Sequence, residues 1–183
     1  MNTANETAKV AQTKQIIATQ FKRLLDRKSI QQISVKEICK CSMISRSGFY
    51  LHFQDKYALF KYCLEQKLNL WNESIKTYSV KDFIFFMFDS IFEDRNFYYN
   101  AFIREPTSEL HNIVQDSYCE LFRQCFVNGQ TAGMNIPQPV SVISNFYAGA
   151  VLSIIELWLY KEPAITKDEI ANCLIALMPS WMI

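Results

Sequence analysis

The residues best suited to chemistry fall in one run, Ile33 to Lys56, reading ISVKEICKCSMISRSGFYLHFQDK. Ser45, Arg46, Ser47 and Gly48 make a small, polar leading turn, and Phe49, Tyr50 and Phe53 follow at its aromatic end. A second helix that begins this way, behind a short crossing helix, meets the need of a helix-turn-helix entering the DNA major groove. Bulky side chains in the leading turn would hold its backbone away from the groove floor.

Two helical elements must position that turn. Val35 and Ile38, with Cys39 beside them, give a narrow apolar stripe, and Ser34 with Glu37 three residues on forms a capping box ahead of it. Ser42 and Met43 break the stripe. Ser45 is an N-cap, and Ile44 can staple onto Phe49. Upstream, residues 1–8 read as frayed. A first helix then carries Val10, Thr13, Ile17, Phe21 and Leu24 on one face, widened by Ile16 and Leu25. The expected shared core is Ile17, Phe21, Leu24, Val35, Ile38, Ile44, Phe49 and Phe53.

The stretch Ile33 to Phe60 resembles the DNA-binding signature of the TetR family of bacterial one-component transcription regulators. The matching positions are Ile38-Cys39, Ser42-Met43-Ile44, Ser45-Arg46, Tyr50, His52-Phe53 and Lys56. Met43 stands where Gly or Asn usually makes the turn, Gly48 where Thr is common, and Leu51 where a basic or polar residue is frequent. The resemblance implies an all-α homodimer, with a three-helix head at 9–55 and a regulatory and dimerisation body at 56–183, about nine helices in all. It implies that Ser45, Arg46, Ser47 and Gly48 face bases or approach the groove floor. Tyr50, His52 and Lys56 would hold phosphates, with Ser34 and Lys36 contacting the backbone. The partner would be a roughly palindromic double-stranded operator.

Composition agrees with a helical globular chain. Of 183 residues, 50% are hydrophobic and 20% charged, while Gly and Pro are scarce and strand-like alternation is nearly absent. Charge is divided unevenly. Residues 1–77 hold 13 Lys/Arg against 6 Asp/Glu, whereas residues 78–183 hold 6 against 12, a basic half for a polyanion and an acidic half for something else. The six cysteines lack metal-ligand spacing, and most read as small buried hydrophobes in a reducing cytosol. The first twelve residues are polar, without a secretory-signal pattern, so the expected location is the cytoplasm. No P-loop, GxGxxG, HExxH or nucleophile elbow occurs, so neither an enzyme, a catalytic residue, a metal nor a cofactor is expected.

Downstream, Asp55 can cap a long helix to about Thr77, the mechanical link between head and body, with Leu68 and Trp71 at its far end. Helices are then expected at Val80–Phe92, Arg95–Arg104, from Thr107 to about Asn128, Pro139–Tyr160 and Lys167–Met178. The aromatics crowded between Phe83 and Phe126 have two readings. They pack a core, or they also line a pocket for a small apolar effector, with Phe86, Phe102, Tyr118 and Phe122 as candidate lining residues. The Pro139–Tyr160 helix is apolar nearly all round, with small residues along it, and asks for cover on both sides. A second copy packed on the last two helices would supply it, as the family does; a buried central helix in a monomer is the other reading, and both are favoured over a membrane span. A different class of function is also open, in which the body binds a protein coactivator instead of a small molecule. The short body has a general similarity to regulators of dihydroxyacetone-kinase operons.

Overall fold

The computed structural model describes residues 3–75, 80–160 and 165–179, and every regular element among them is helical. The head is α1 (Thr3–Leu25), α2 (Val35–Ser42) and α3 (Arg46–Tyr50); α4 (Lys56–Ile75) rises from it. The body follows with α5 (Val80–Glu93), α6 (Arg95–Tyr98), α7 (Ser108–Thr131), α8 (Val140–Tyr160) and α9 (Lys167–Ala176). A 3-10 turn at Ile30–Gln32 joins α1 to α2, and a π turn at Tyr99–Ile103 continues α6.

Side-chain caps place most of the helix starts where the sequence predicts them. Asp55 Oδ1 accepts from the backbone N–H groups of Tyr57 and Ala58, each at 2.8 Å, and so starts α4. Thr107 caps α7, and Thr166 and Glu169 exchange both bonds of a capping box ahead of α9. The box at α2 is only half made. Ser34 accepts from the N–H of Glu37, but the Glu37 carboxylate turns to Lys28 Nζ at 2.5 Å. Three other expectations are corrected. α1 starts at Thr3, within the stretch read as frayed, and Val10 and Ile16 on its face are exposed; Ile17, Ala18, Phe21 and Leu25 form the buried stripe. α7 runs on to Thr131, and the following loop folds back so closely that a Cβ at Gly129 would meet Met134 Sδ at 3.0 Å. Cys41 and Cys173 are exposed, whereas Cys39 and Cys63 are buried.

The helix expected over Arg95–Arg104 changes pitch halfway. Arg104 N–H donates to the carbonyl of Tyr99 five residues back, at 2.8 Å, which makes a π turn. Inside that turn Asn100 is buried, and its Nδ2 donates to the carbonyl of Leu25 at 2.8 Å. Leu25 is the last residue of α1, whose terminal carbonyls have no partner within the helix. The body thus supplies a partner for the end of the first head helix.

A continuous core runs from the head into the body. Five of the expected head-core residues, Ile17, Phe21, Ile38, Phe49 and Phe53, are buried, and Leu24, Val35 and Ile44 pack against them. On α4, Leu59, Phe60, Cys63, Leu64, Lys67 and Leu68 are buried at the helical spacing expected of them. Phe60 meets Phe97 of α6 with ring centroids 5.5 Å apart. Lys67 is the charged member of this stripe. Its ammonium pairs with Asp94 and lies 5.4 Å from the centroid of Phe97; burial, then the nearby charge of Lys22, pushes its pKa down to about 8. The side chain of Trp71, expected at the far end of the lever, lies outside the described residues. In the body α7 packs along α8 and against α4, and α9 lies on α5. α8 is long and apolar enough to cross a membrane, yet Ser144, Ala148, Val151, Leu152 and Ile155 bury one side of it in the bundle.

Asn100→Ala removes the donor and leaves the Leu25 carbonyl unpaired. The expected loss is about 1–3 kcal/mol of unfolding free energy, measured by urea denaturation; an unchanged midpoint would contradict this role for the amide.

Candidate nucleic-acid interface

α2 and α3 are joined by a three-residue link, Met43 to Ser45, and its tightness rests on Met43. This residue caps α2 with φ 54° and ψ 41°, in the left-handed region, and its N–H reaches the carbonyl of Lys40 at 3.4 Å. Ile44 N–H then bonds the carbonyl of Cys39 at 3.1 Å. The turn keeps its geometry without the usual Gly or Asn, at a cost of roughly 1–2 kcal/mol for an L-residue in that region. The Met43 side chain is 92% exposed, so nothing packs against it to offset this.

α3 begins on Ser45, whose Oγ accepts from Gly48 N–H at 2.9 Å and shares a hydrogen bond with Ser47 Oγ at 2.9 Å. Both hydroxyls are therefore engaged locally in stiffening the first turn. A Cβ at Gly48 would sit 3.2 Å from Ser45 Oγ, so a larger residue there presses on the capping hydroxyl. This is a physical reason for Gly where Thr is common in similar sequences. Arg46 is exposed beside them and is the one long polar side chain of α3. Phe49, on the opposite face, is fully buried and anchors the helix to the core.

The flanking candidates divide into two groups. Ser34 and Lys36 are exposed at the start of α2, Tyr50 is half-exposed at the end of α3 against the edge of Phe49, and His52 is partly buried in the turn beyond. Leu51 is 83% exposed, an apolar group beside Tyr50 on the same end of α3. Lys56 is engaged in another way. Its Nζ donates to the carbonyls of Ile30, Gln31 and Ile33 at 2.7, 3.1 and 3.0 Å. All three ammonium hydrogens thus have acceptors within the protein, with which the expected phosphate would have to compete. Burial lowers its pKa, against the opposing pull of Asp55 and Glu105. Which way a long flexible side chain turns is not written in motif spacing; the signal available was the carbonyl-rich Ile30–Ile33 link, whose terminal acceptors need partners.

Of the candidate pocket residues whose side chains are described, Phe86, Tyr118 and Phe122 line neither of two open clefts in the protein. Tyr118 is fully buried, its hydroxyl engaged with that of Tyr98, and burial raises the pKa of both phenols. Phe122 stacks on Phe126 and meets Tyr147 of α8, with centroids 6.0 and 5.9 Å away. Phe86 is partly exposed on α5, and the side chain of Phe102 lies outside the described residues. Two open clefts occur elsewhere. One of about 420 Å³ lies at the seam of head and body, between Gln31, Lys56, Tyr57 and Glu109; another of about 430 Å³ lies beside Ile103, Pro106, Leu157 and Tyr160.

Residues 79–180 match the family model of a transcriptional regulator C-terminal region. No curated protein sequence matches the chain. Among solved structures, the dihydroxyacetone kinase operon activator DhaS is similar, with 21% identity and a TM-score of 0.64 over 90% of this chain and 93% of that one. NalD, the secondary repressor of the MexAB-OprM multidrug efflux pump in Pseudomonas aeruginosa, is 20% identical over 91% of this chain and 93% of its own, with a TM-score of 0.58. The regulator FadR from Bacillus subtilis, solved with stearoyl-CoA, is 14% identical over 92% of this chain and 99% of its own, at 0.63. At these identities the likeness establishes a shared fold.

Lys56→Met keeps the stem and removes the charge. The expected result is a loss of about 1.5–3 kcal/mol of stability, the range for hydrogen bonds to a charged group, read by chemical denaturation. Unchanged stability with weaker, less salt-sensitive DNA binding would return Lys56 to the phosphate backbone.

Proposed function

Because the chain belongs to the TetR family of transcriptional regulators, we propose that it binds a roughly palindromic DNA operator as a homodimer, each head placing α3 in one major groove. The observation that carries this reading is the exposed, capped first turn of α3, held to the core by Phe49 and presenting Arg46. With the Ser45 and Ser47 hydroxyls engaged in the cap, Arg46 is the candidate for bidentate reading of a guanine edge. Gly48 and the small serines let the backbone approach the groove floor. Tyr50, His52, Ser34 and Lys36 hold phosphates and set the register. The domain division follows the same plan, a head to about residue 55 and a regulatory and dimerisation body beyond, in the cytoplasm.

The dimer is assigned to α8 and α9. Val142, Phe146, Leu157 and Tyr160 are exposed at helical spacing along α8, with the small Gly149 and Ser153 between them. Phe146 is 66% exposed, and Leu177 just past α9 is exposed as well. A single apolar stripe of this kind, small in the middle, suits close approach by a second copy. A small effector bound in the body would then change DNA affinity by favouring one separation of the two heads, through α4.

Two measurements test this. Arg46→Ala should cost about 1–3 kcal/mol per half-site on the preferred operator and little on unrelated duplex; an equal loss on all sequences would make Arg46 a phosphate contact. Phe146→Arg should yield a folded monomer by sedimentation with greatly weakened operator binding, and a persistent dimer would place the interface elsewhere.

A further inference from the structure

We propose that Lys14 of α1 is a further phosphate contact of the head, its ammonium held ready by the rings of Phe53 and Tyr62. This rests on the DNA-binding reading and adds to it a contact from a helix outside the helix-turn-helix. Lys14 Nζ lies 5.8 Å from the centroid of Phe53 and 5.6 Å from that of Tyr62, and these two rings are themselves 5.4 Å apart. Phe53 closes the turn after α3, its N–H bonded to the carbonyl of Phe49, and it directly follows His52. The cation therefore lies over the residue that directly follows His52, one of those assigned to the DNA backbone.

Four other lysines of the head and of α4 are already engaged within the protein. Lys28 pairs with Glu37, Lys61 with Glu65 and Lys67 with Asp94, while Lys56 is spent on three carbonyls. Lys14 has no carboxylate partner among the described residues, and ring faces attract a cation without neutralising it. Its position is thus set in advance while its charge remains available, which suits a phosphate group. The run of α1 agrees. Lys22, two turns further on, lies 5.9 Å from the centroid of Phe97 in the body, so the stretch from Lys22 back to Lys14 leads from body to head over about 12 Å at 1.5 Å per residue.

The test measures the dissociation constant of the full-length protein across a salt series, on a duplex the protein has selected from a random-sequence pool. Lys14→Gln, Lys14→Arg and Lys22→Gln are compared with the parent, with thermal melts showing that each is folded. Each phosphate contact contributes a slope of about −0.9 in log K against log salt. Lys14→Gln is expected to flatten the slope by about that amount per subunit, with the preference among operator variants unchanged. Lys14→Arg should keep the parent slope, and so should Lys22→Gln, which removes the same charge from the body end of α1. A parent slope retained in Lys14→Gln overturns the proposal alone, and equal flattening by Lys22→Gln overturns it in favour of a general charge effect. A parent that selects no duplex overturns the DNA-binding reading with it.

Discussion

The ammonium of Lys56 donates its three hydrogens to the carbonyls of Ile30, Gln31 and Ile33, and the register of the whole head depends on that contact. Those oxygens lie in the 3-10 turn between α1 and α2 and at its cap; the Ile30 carbonyl also accepts from Ile33 N–H at 3.3 Å, whereas Gln31 and Ile33 present theirs where the turn has ended. Lys56 is also the first residue of α4, and only a few residues separate it from the end of α3. One side chain therefore ties the entry of α2, the exit of α3 and the foot of α4 to a common point. Tyr57 reinforces it by donating its hydroxyl to Gln31 Oε1 at 3.0 Å. At the other end of the head, Asn100 does a similar service for the last carbonyl of α1. The head is held between two polar ties, and the apolar core between them can shift only as both allow.

Where a boundary depends on a short side chain reaching its own backbone, it was legible in the sequence. Asp55, Thr107 and Thr166 begin their helices as read, and the stripe from Leu59 to Leu68 turns inward even at Lys67. What was not legible depends on contacts distant along the chain. The Glu37 carboxylate leaves its expected capping partner because Lys28 is within reach, and the π turn at Tyr99–Ile103 goes with an asparagine that meets a carbonyl 75 residues away. Local periodicity contains neither fact. The candidate DNA surface divides along the same line. Short Ser45 caps α3 as read and bonds Ser47, whereas long Lys56 turns inward.

The aromatic residues of the body show how composition can leave two readings open. Their number is the same whether they fill a core or line a cavity. In the structure Tyr98, Tyr118, Phe60 and Phe88 are fully buried, and Phe88 meets Trp158 edge-on, so this part of the bundle is filled by its own rings. Such filling makes the interior stiff. Movement of α4 against it would displace Phe60 on Phe97 and the Lys67–Asp94 pair together, because the Lys67 ammonium lies over the same ring.

The placement of the thiols gives the molecule a built-in means of spectroscopic labelling. Cys39 and Cys63 lie in the core, and burial raises their pKa, to about 12 for Cys63, which keeps them protonated and slow toward thiol-directed reagents. Cys41 on α2 and Cys173 on α9 are exposed and open to the same reagents. A paramagnetic or fluorescent group on Cys41 would ride on α2 of the head, and one on Cys173 would ride on α9 of the body. In an assembly of two copies, the Cys41 pair would report the distance between heads and the Cys173 pair the closeness of the bodies, with no residue of either core replaced.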